Sequence, residues 1–242
     1  MPKSVVLIPT YNESESIGRI IEDLRDLDID IVVIDDGSPD KTAETVKNLQ
    51  KKNLRLIENT TKNGIGAAYQ QGFELVKNNG YEFIATMDAD GSHLVNDLKK
   101  MLEAISSADV VMGTRWINGG SVRNWSLHRI FLSRFGTWYA RKALSLTYKD
   151  LTGGFRVYRG TILNKLNLNS IRSNGYCFQI EMIRACSLAN AIIKEVPITF
   201  IEREHGKSKM SRKIVLEAFY RVSVWGFMRI IRYNADKLHY VK

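Results

Sequence analysis

Five short apolar runs punctuate the first 112 residues: Val5-Val6-Leu7-Ile8, Ile31-Val32-Val33-Ile34, residues 54–57, residues 83–87 and Val110-Val111-Met112. A sheet covered on both faces requires runs of this kind. Between them the apolar spacing becomes helical. It passes through Ile17, Ile20, Ile21, Leu24 and Leu27, then Ala43, Val46 and Leu49, then Ala67, Ala68 and Leu75, then Leu98, Met101, Leu102 and Ile105. Asn12 or Ser14 is suited to cap the first helix, and Asn12 with Glu15 has capping-box spacing. The alternation predicts an α/β fold with a mostly parallel sheet and right-handed crossovers.

The later chain is patterned differently. Over residues 129–148, Phe131, Leu132, Phe135, Trp138, Tyr139, Ala143 and Leu146 form an apolar stripe opposite Arg134, Thr137, Arg141 and Ser145. A second stripe, Leu216, Tyr220, Val224, Phe227, Ile230 and Ile231, faces Lys213, Glu217, Arg221, Arg229 and Arg232. Such helices either pack on a core or lie in a bilayer interface, where Trp225 on the basic face would be an interfacial aromatic. Residues 155–158 and 192–201 read as strands. No repeat, low-complexity tract or Pro/Gly-rich linker interrupts the chain. The expected division is one domain over residues 1–210 and a C-terminal amphipathic helix over 211–242, membrane-associated or packed on the core.

Charge sharpens that division. The 242 residues carry a net +9, but residues 1–112 hold 12 Lys and Arg against 19 Asp and Glu, and residues 113–242 hold 23 against 7. An acidic first half suits a bound metal. A basic second half suits lipid phosphate, an anionic membrane surface or nucleic acid. A hydrophobic content of 44% excludes a disordered chain. Cys177 and Cys186 match no metal-ligand spacing, nor do His93, His128, His205 and His239. The cysteines suggest a reducing, intracellular setting. Neither a signal peptide nor a stretch of about 18 apolar residues that would span a membrane is expected.

Ligands of parallel sheets sit beyond the carboxyl ends of the strands. Three predicted strands end in acid-bearing segments: Pro9-Thr10-Tyr11-Asn12-Glu13, Asp35-Asp36-Gly37-Ser38 and Asp88-Ala89-Asp90. Two carboxylates at i and i+2, followed by Gly91 to permit a turn, can reach one divalent cation. Mg²⁺ or Mn²⁺ prefers oxygen ligands and often completes its shell with substrate phosphates. Such an ion neutralises charge on a departing diphosphate.

These segments, with Asn63-Gly64-Ile65-Gly66-Ala67-Ala68, Gly113-Thr114-Arg115, residues 150–156 (Asp-Leu-Thr-Gly-Gly-Phe-Arg), Gly175-Tyr176-x-Phe178-Gln179-x-Glu181 and Arg203-x-x-Gly206-x-Ser208-Lys209, resemble the dolichol- and polyprenol-phosphate mannose synthases. Those enzymes belong to the inverting glycosyltransferases of GT-A fold, and the resemblance covers residues 3 to about 212. It implies that Pro9, Tyr11, Glu13 and Asp36 hold the nucleoside, and that Asp88, Ala89 and Asp90 meet the diphosphate. Asp88 and Asp90 would also hold Mg²⁺ or Mn²⁺. Some members carry a Gln as a further metal ligand where this chain has Ser92. The implied reaction moves mannose from GDP-mannose to a polyprenyl phosphate at the cytoplasmic face of a membrane, with the enzyme peripheral to it. UDP-glucose and UDP-N-acetylglucosamine are the alternative donors.

A phosphate monoester has a second pKa near ~6, so the acceptor is already ionised and hardly needs a general base. It needs cations that hold it in line with the anomeric carbon. Arg115, Arg129, Arg203 and Lys209 are the candidates, with Ser133 as a hydrogen-bond donor; Arg's planar fork suits phosphate. Asp88, Asp90, Arg115 and Arg129 are thus expected to carry catalysis. A Rossmann oxidoreductase is excluded because no glycine-rich phosphate turn follows the first strand. A nucleotidyltransferase would not need the lipid-suited half, and a nucleic-acid-binding module leaves the acidic strand ends unexplained.

Overall fold

The central strands are buried on both faces because successive side chains enter two different cores. The computed structural model describes residues 3–77, 79–173, 175–203 and 212–241. Its strands are β1 (Ser4–Thr10), β2 (Asp30–Asp35), β3 (Leu54–Glu58), β4 (Phe83–Thr86), β5 (Val110–Thr114), β6 (Ser121–Arg123), β7 (Arg156–Arg159), β8 (Ile193–Pro197) and β9 (Thr199–Ile201). Its α-helices are α1 (Ile17–Asp23), α2 (Thr42–Asn48), α3 (Ile65–Lys77), α4 (Val95–Ala104), α5 (Leu127–Leu144), α6 (Gly160–Lys165), α7 (Gly175–Leu188) and α8 (Arg212–Tyr240). Val5, Leu7, Val32 and Ile34 meet Tyr69 and Phe73 of α3 and Phe178 of α7 on one side. Val6, Ile8, Ile31 and Val33 meet Ile17 and Ile20 of α1 and Leu98 of α4 on the other. The period of two in the strands thus yields three layers, helix–sheet–helix.

The main sheet runs β3-β2-β1-β4-β7-β5-β8, with β7 antiparallel to both neighbours and the other pairs parallel. From β1 the chain builds outward to β2 and β3, then returns to place β4 on the other side of β1. That reversal opens a crevice at the carboxyl ends of β1 and β4.

The expected elements form, with differences that have physical causes. The first helix starts after Ser16, not after Asn12 or Ser14, and no side chain caps it. Asn12 is held at φ 57°, and the N–H groups of Asn12, Glu13 and Ser14 donate to Ser38, Thr42 and Asp40, so this segment is a loop bound to the next loop. The predicted strand at 192–201 divides into β8 and β9, and β9 leaves the main sheet to pair with β6. Helix α7 had no periodic signal because every residue from Cys177 to Cys186 is buried, leaving no polar face.

The two amphipathic helices are arranged in an unexpected way. Helix α5 turns Thr137, Ala140 and Leu144 inward, while Phe131, Phe135 and Trp138 are exposed and stacked on one another. Helix α8 packs against α5 and α7 through residues such as Val222. Its stripe of Leu216, Tyr220, Phe227, Ile230 and Ile231 is exposed. Trp225 is not interfacial; it packs on the core with the Arg184 guanidinium 5.3 Å from its ring centre. Among the described residues no helix is long and apolar enough to cross a membrane.

Candidate active site

The loops after β1, β2 and β4 are tied together by side chains that themselves sit at strand ends. Asp35, the last residue of β2, accepts hydrogen bonds from the Thr10 hydroxyl at 2.8 Å and from the Ser38 N–H and hydroxyl at 2.9 and 2.5 Å. Asp36 accepts the N–H groups of Asn63 and Gly64 at 2.8 and 2.7 Å, so its carboxylate orders the turn into α3. Lys62 lies 3.6 Å above the Tyr11 ring. The Ser16 hydroxyl donates to the Ala89 carbonyl at 2.7 Å and joins the first loop to the third. Between these loops lies a cleft of about 290 Å³. All seven residues expected at the nucleotide sugar line it: Pro9, Tyr11, Glu13, Asp36, Asp88, Ala89 and Asp90.

The two carboxylates of the Asp-Ala-Asp segment differ in support. Gly91 adopts φ 76°, which a side chain disfavours, and the turn brings Ser92 back onto Asp90. Asp90 accepts the Ser92 hydroxyl at 2.5 Å and N–H at 3.1 Å, and its other oxygen is 3.2 Å from the Arg203 guanidinium. Burial alone would raise its pKa, but the Ser92 hydrogen bond and the Arg203 charge outweigh this and hold it below the ordinary value, so Asp90 is ionised at neutral pH. Asp88 is the more open of the two. Its backbone N–H donates to His93 Nδ1 at 3.1 Å, which leaves the ring proton on Nε2, 3.8 Å from the Asp88 carboxylate. Burial against Phe155 lowers the His93 pKa and keeps the ring neutral. Among the described residues no three His, Cys, Asp or Glu side chains form a metal cage. The carboxylates of Asp88 and Asp90 both line the cleft and are hard oxygen ligands open to substrate phosphates, so they fit Mg²⁺ or Mn²⁺, whereas the Ser92 hydroxyl is fully buried and spent on Asp90.

A second cleft, of about 70 Å³, opens between α5, α7 and α8. Arg115, Arg129 and Ser133 stand at it, beside apolar walls such as Leu132, Phe219 and Val222. Arg115 is 5% exposed and held in a fork by the fully buried Asp150, at 2.6 Å through both Nε and Nη2. Its Nη2 also donates to Thr152 at 3.0 Å and to Ser133 at 3.4 Å. Arg129 pairs with Glu202 and lies 3.9 Å from the Trp125 ring centre. Thr152 and Tyr176 line both clefts, so the two cavities share a wall. Arg203 stands at the first cleft with Asp90, not at the second with Arg129. Lys209 lies outside the described residues.

Comparison with known proteins decides the class. Residues 5–166 match the family model described as glycosyl transferase family 2. The chain belongs to this family. As a family 2 glycosyltransferase it is 40% identical over 231 residues to polyprenol monophosphomannose synthase of Mycolicibacterium smegmatis, covering 93% of this chain and 87% of the relative. It is 42% identical over 227 residues to undecaprenyl-phosphate mannosyltransferase of Micrococcus luteus, covering 92% and 93%. Among solved structures, glucosyl-3-phosphoglycerate synthase from Mycobacterium tuberculosis, in complex with Mn²⁺, UDP and glucosyl-3-phosphoglycerate, superposes with a TM-score of 0.64. At 16% identity, over 94% of this chain and 79% of the other, that likeness shows the GT-A fold.

Around the two clefts of the transferase stand further residues that the sequence left unassigned. Asp150 and Glu202 hold Arg115 and Arg129, Trp125 stacks on Arg129, and Tyr176 divides the clefts. Burial pushes the Tyr176 phenol upward in pKa, opposed by the charges of Arg129, Arg115 and Arg203. Asp150 and Tyr176 stood in the recognised motifs. Trp125 and Glu202 had no sequence signal, since their roles arise from contacts across 4 and 73 positions.

Proposed function

We propose that this glycosyltransferase transfers mannose from GDP-mannose to a polyprenyl phosphate with inversion, releasing GDP. The observation that carries this reading is the pair of clefts meeting at Thr152 and Tyr176, one lined by carboxylates and the other apolar with cations at its mouth. The names of the two relatives, a polyprenol monophosphomannose synthase and an undecaprenyl-phosphate mannosyltransferase, support the same acceptor class and the same sugar.

Asp88 and Asp90 would hold Mg²⁺ or Mn²⁺, which supplies Lewis-acid stabilisation to the departing diphosphate. Arg203, beside Asp90, would add positive charge at the same diphosphate. Pro9, Tyr11, Glu13 and Asp36 would face the nucleoside. On the other side of the shared wall, Arg129 would exchange Glu202 for the acceptor phosphate, while Arg115, fixed by Asp150, would orient Ser133 and Thr152 toward it. A phosphate oxygen then attacks the anomeric carbon as the bond to the diphosphate breaks, with the electron pair leaving on GDP. The nucleophile is already an anion, so no side chain has to take a proton.

Purified protein, Mg²⁺, undecaprenyl phosphate and radiolabelled GDP-mannose, UDP-glucose or UDP-N-acetylglucosamine test the donor and acceptor. Label from GDP-mannose should pass into organic solvent, and unphosphorylated undecaprenol should accept none; label from a UDP-sugar instead would replace the donor. Arg129→Ala should lower kcat/KM for the lipid by about 10- to 100-fold, the loss of roughly 1.5–3 kcal/mol from a charge-assisted contact. Donor affinity, measured by calorimetry without lipid, should be unchanged. A parallel loss of donor affinity would move Arg129 to the diphosphate side.

The outward stripes of α5 and α8 support a peripheral position on a membrane, its cytoplasmic face in this reading. Phe131 and Phe227 are 67% and 63% exposed, a costly arrangement in water unless something apolar covers them. Vesicles containing anionic lipid should sediment the wild type, and Phe131→Ser with Phe227→Ser should leave most of the protein in the supernatant. Equal sedimentation of both proteins would place the contact elsewhere.

A further inference from the structure

Helix α7 begins at the wall between the clefts, and Gln179, on its second turn, lines the donor cleft. The residue is 5% exposed, yet among the described residues its carboxamide makes no hydrogen bond. Its amide nitrogen and oxygen are not among the enclosed, unpartnered polar atoms, so the small exposed part of the residue is the amide itself, presented at the cleft with two donors and an acceptor for a ligand to meet. Its position is not left to chance. The buried Arg156 guanidinium donates to the Gln179 main-chain carbonyl at 2.7 Å and to the Leu151 carbonyl at 3.2 Å, which fixes α7 to the 150–154 loop. From the other side the Thr86 hydroxyl donates to the Gly154 carbonyl at 2.7 Å and draws that loop onto the end of β4. Gly154 therefore lies directly between the amide and the diphosphate carboxylate. A Cβ at Gly154 would stand 3.0 Å from Gln179 Nε2 and 3.6 Å from Asp88 Oδ1.

We propose that the Gln179 carboxamide reads hydroxyl groups of the transferred sugar, in the space kept open by the missing side chain of Gly154. This rests on the transferase reading above, and it adds a specificity residue to it. The lining of the cleft supports the assignment. Gln179 lines the same cleft as Asp88 and Asp90, and Gly154 brings its amide close to Asp88, while Thr152 and Tyr176 of that lining also border the second cleft. A sugar bonded to a diphosphate held at Asp88 and facing the acceptor lies within reach of that amide. A neutral group that both donates and accepts matches hydroxyls, which do the same, and would gain little from a phosphate.

Calorimetry on wild type, Gln179→Leu and Gly154→Ala separates the sugar from the nucleotide. It compares the nucleoside diphosphate alone with its sugar nucleotide, choosing among GDP-mannose, UDP-glucose and UDP-N-acetylglucosamine the one the wild type binds most tightly. Both variants should bind the diphosphate within about twofold of wild type and the sugar nucleotide about tenfold more weakly, the loss expected for a hydrogen bond or two. Gly154 has no left-handed backbone angle, so its variant changes the cleft and not the fold even if Gln179→Leu is unstable. Equal loss of both ligands, or loss of neither, overturns the assignment. Tightest binding of a UDP-sugar would overturn the GDP-mannose reading alone and leave the Gln179 comparison intact.

Discussion

Asp90→Asn, and separately Asp88→Asn, should lower mannosyl transfer by at least about a thousandfold, equivalent to roughly 4 kcal/mol of transition-state stabilisation. The change is small in volume and large in charge. Asp90 is largely enclosed and held ionised by Ser92 and Arg203, so Asn keeps the shape and the Ser92 hydrogen bond while removing the anion a cation would need. The folded state should tolerate it, with a melting temperature within a few degrees of wild type. Chelation by EDTA should have the same effect on wild type, and added Mg²⁺ or Mn²⁺ should restore transfer to wild type only. Full activity of both Asn variants, or of wild type in EDTA, would remove the metal-dependent part of the proposal.

The second large effect is on stability. Asp150→Ala should cost about 3–5 kcal/mol, because it leaves the buried Arg115 charge without its counter-charge. For a chain of this size that corresponds to a melting temperature lower by roughly 6–20 °C. The pair itself is worth less than its breakage suggests, since desolvation opposes the Coulomb gain. Asp150→Leu combined with Arg115→Met should therefore recover much of the lost stability. It should not recover activity, because Thr152 and Ser133 lose the donor that orients them. Differential scanning calorimetry and the radiolabel assay on the two variants decide the matter. A double variant no more stable than Asp150→Ala would show that the stranded charge is not what the loss of Asp150 costs.

What the sequence determined alone is whatever depends on local period and local chemistry. The continuous apolar runs at residues 5–8 and 31–34 are read by counting, and the sheet follows because such runs must be covered on both faces. The three acidic strand ends were legible for the same reason, since strands of a parallel sheet deliver their last residues to one edge. Tertiary structure decided what a side chain meets once it arrives there. The buried helix α7 has no polar face to mark it, so neither its existence nor the position of Gln179 followed from periodicity. Arg203 and Arg129 are both cations in a basic half of the chain. Only packing assigns one to Asp90 and the other to Glu202. The stripes of α5 and α8 were equally visible as stripes, but amphipathicity gives a direction relative to the helix and not to the protein. The exposed side became clear only when Thr137, Ala140 and Val222 occupied the core and turned the aromatic residues outward.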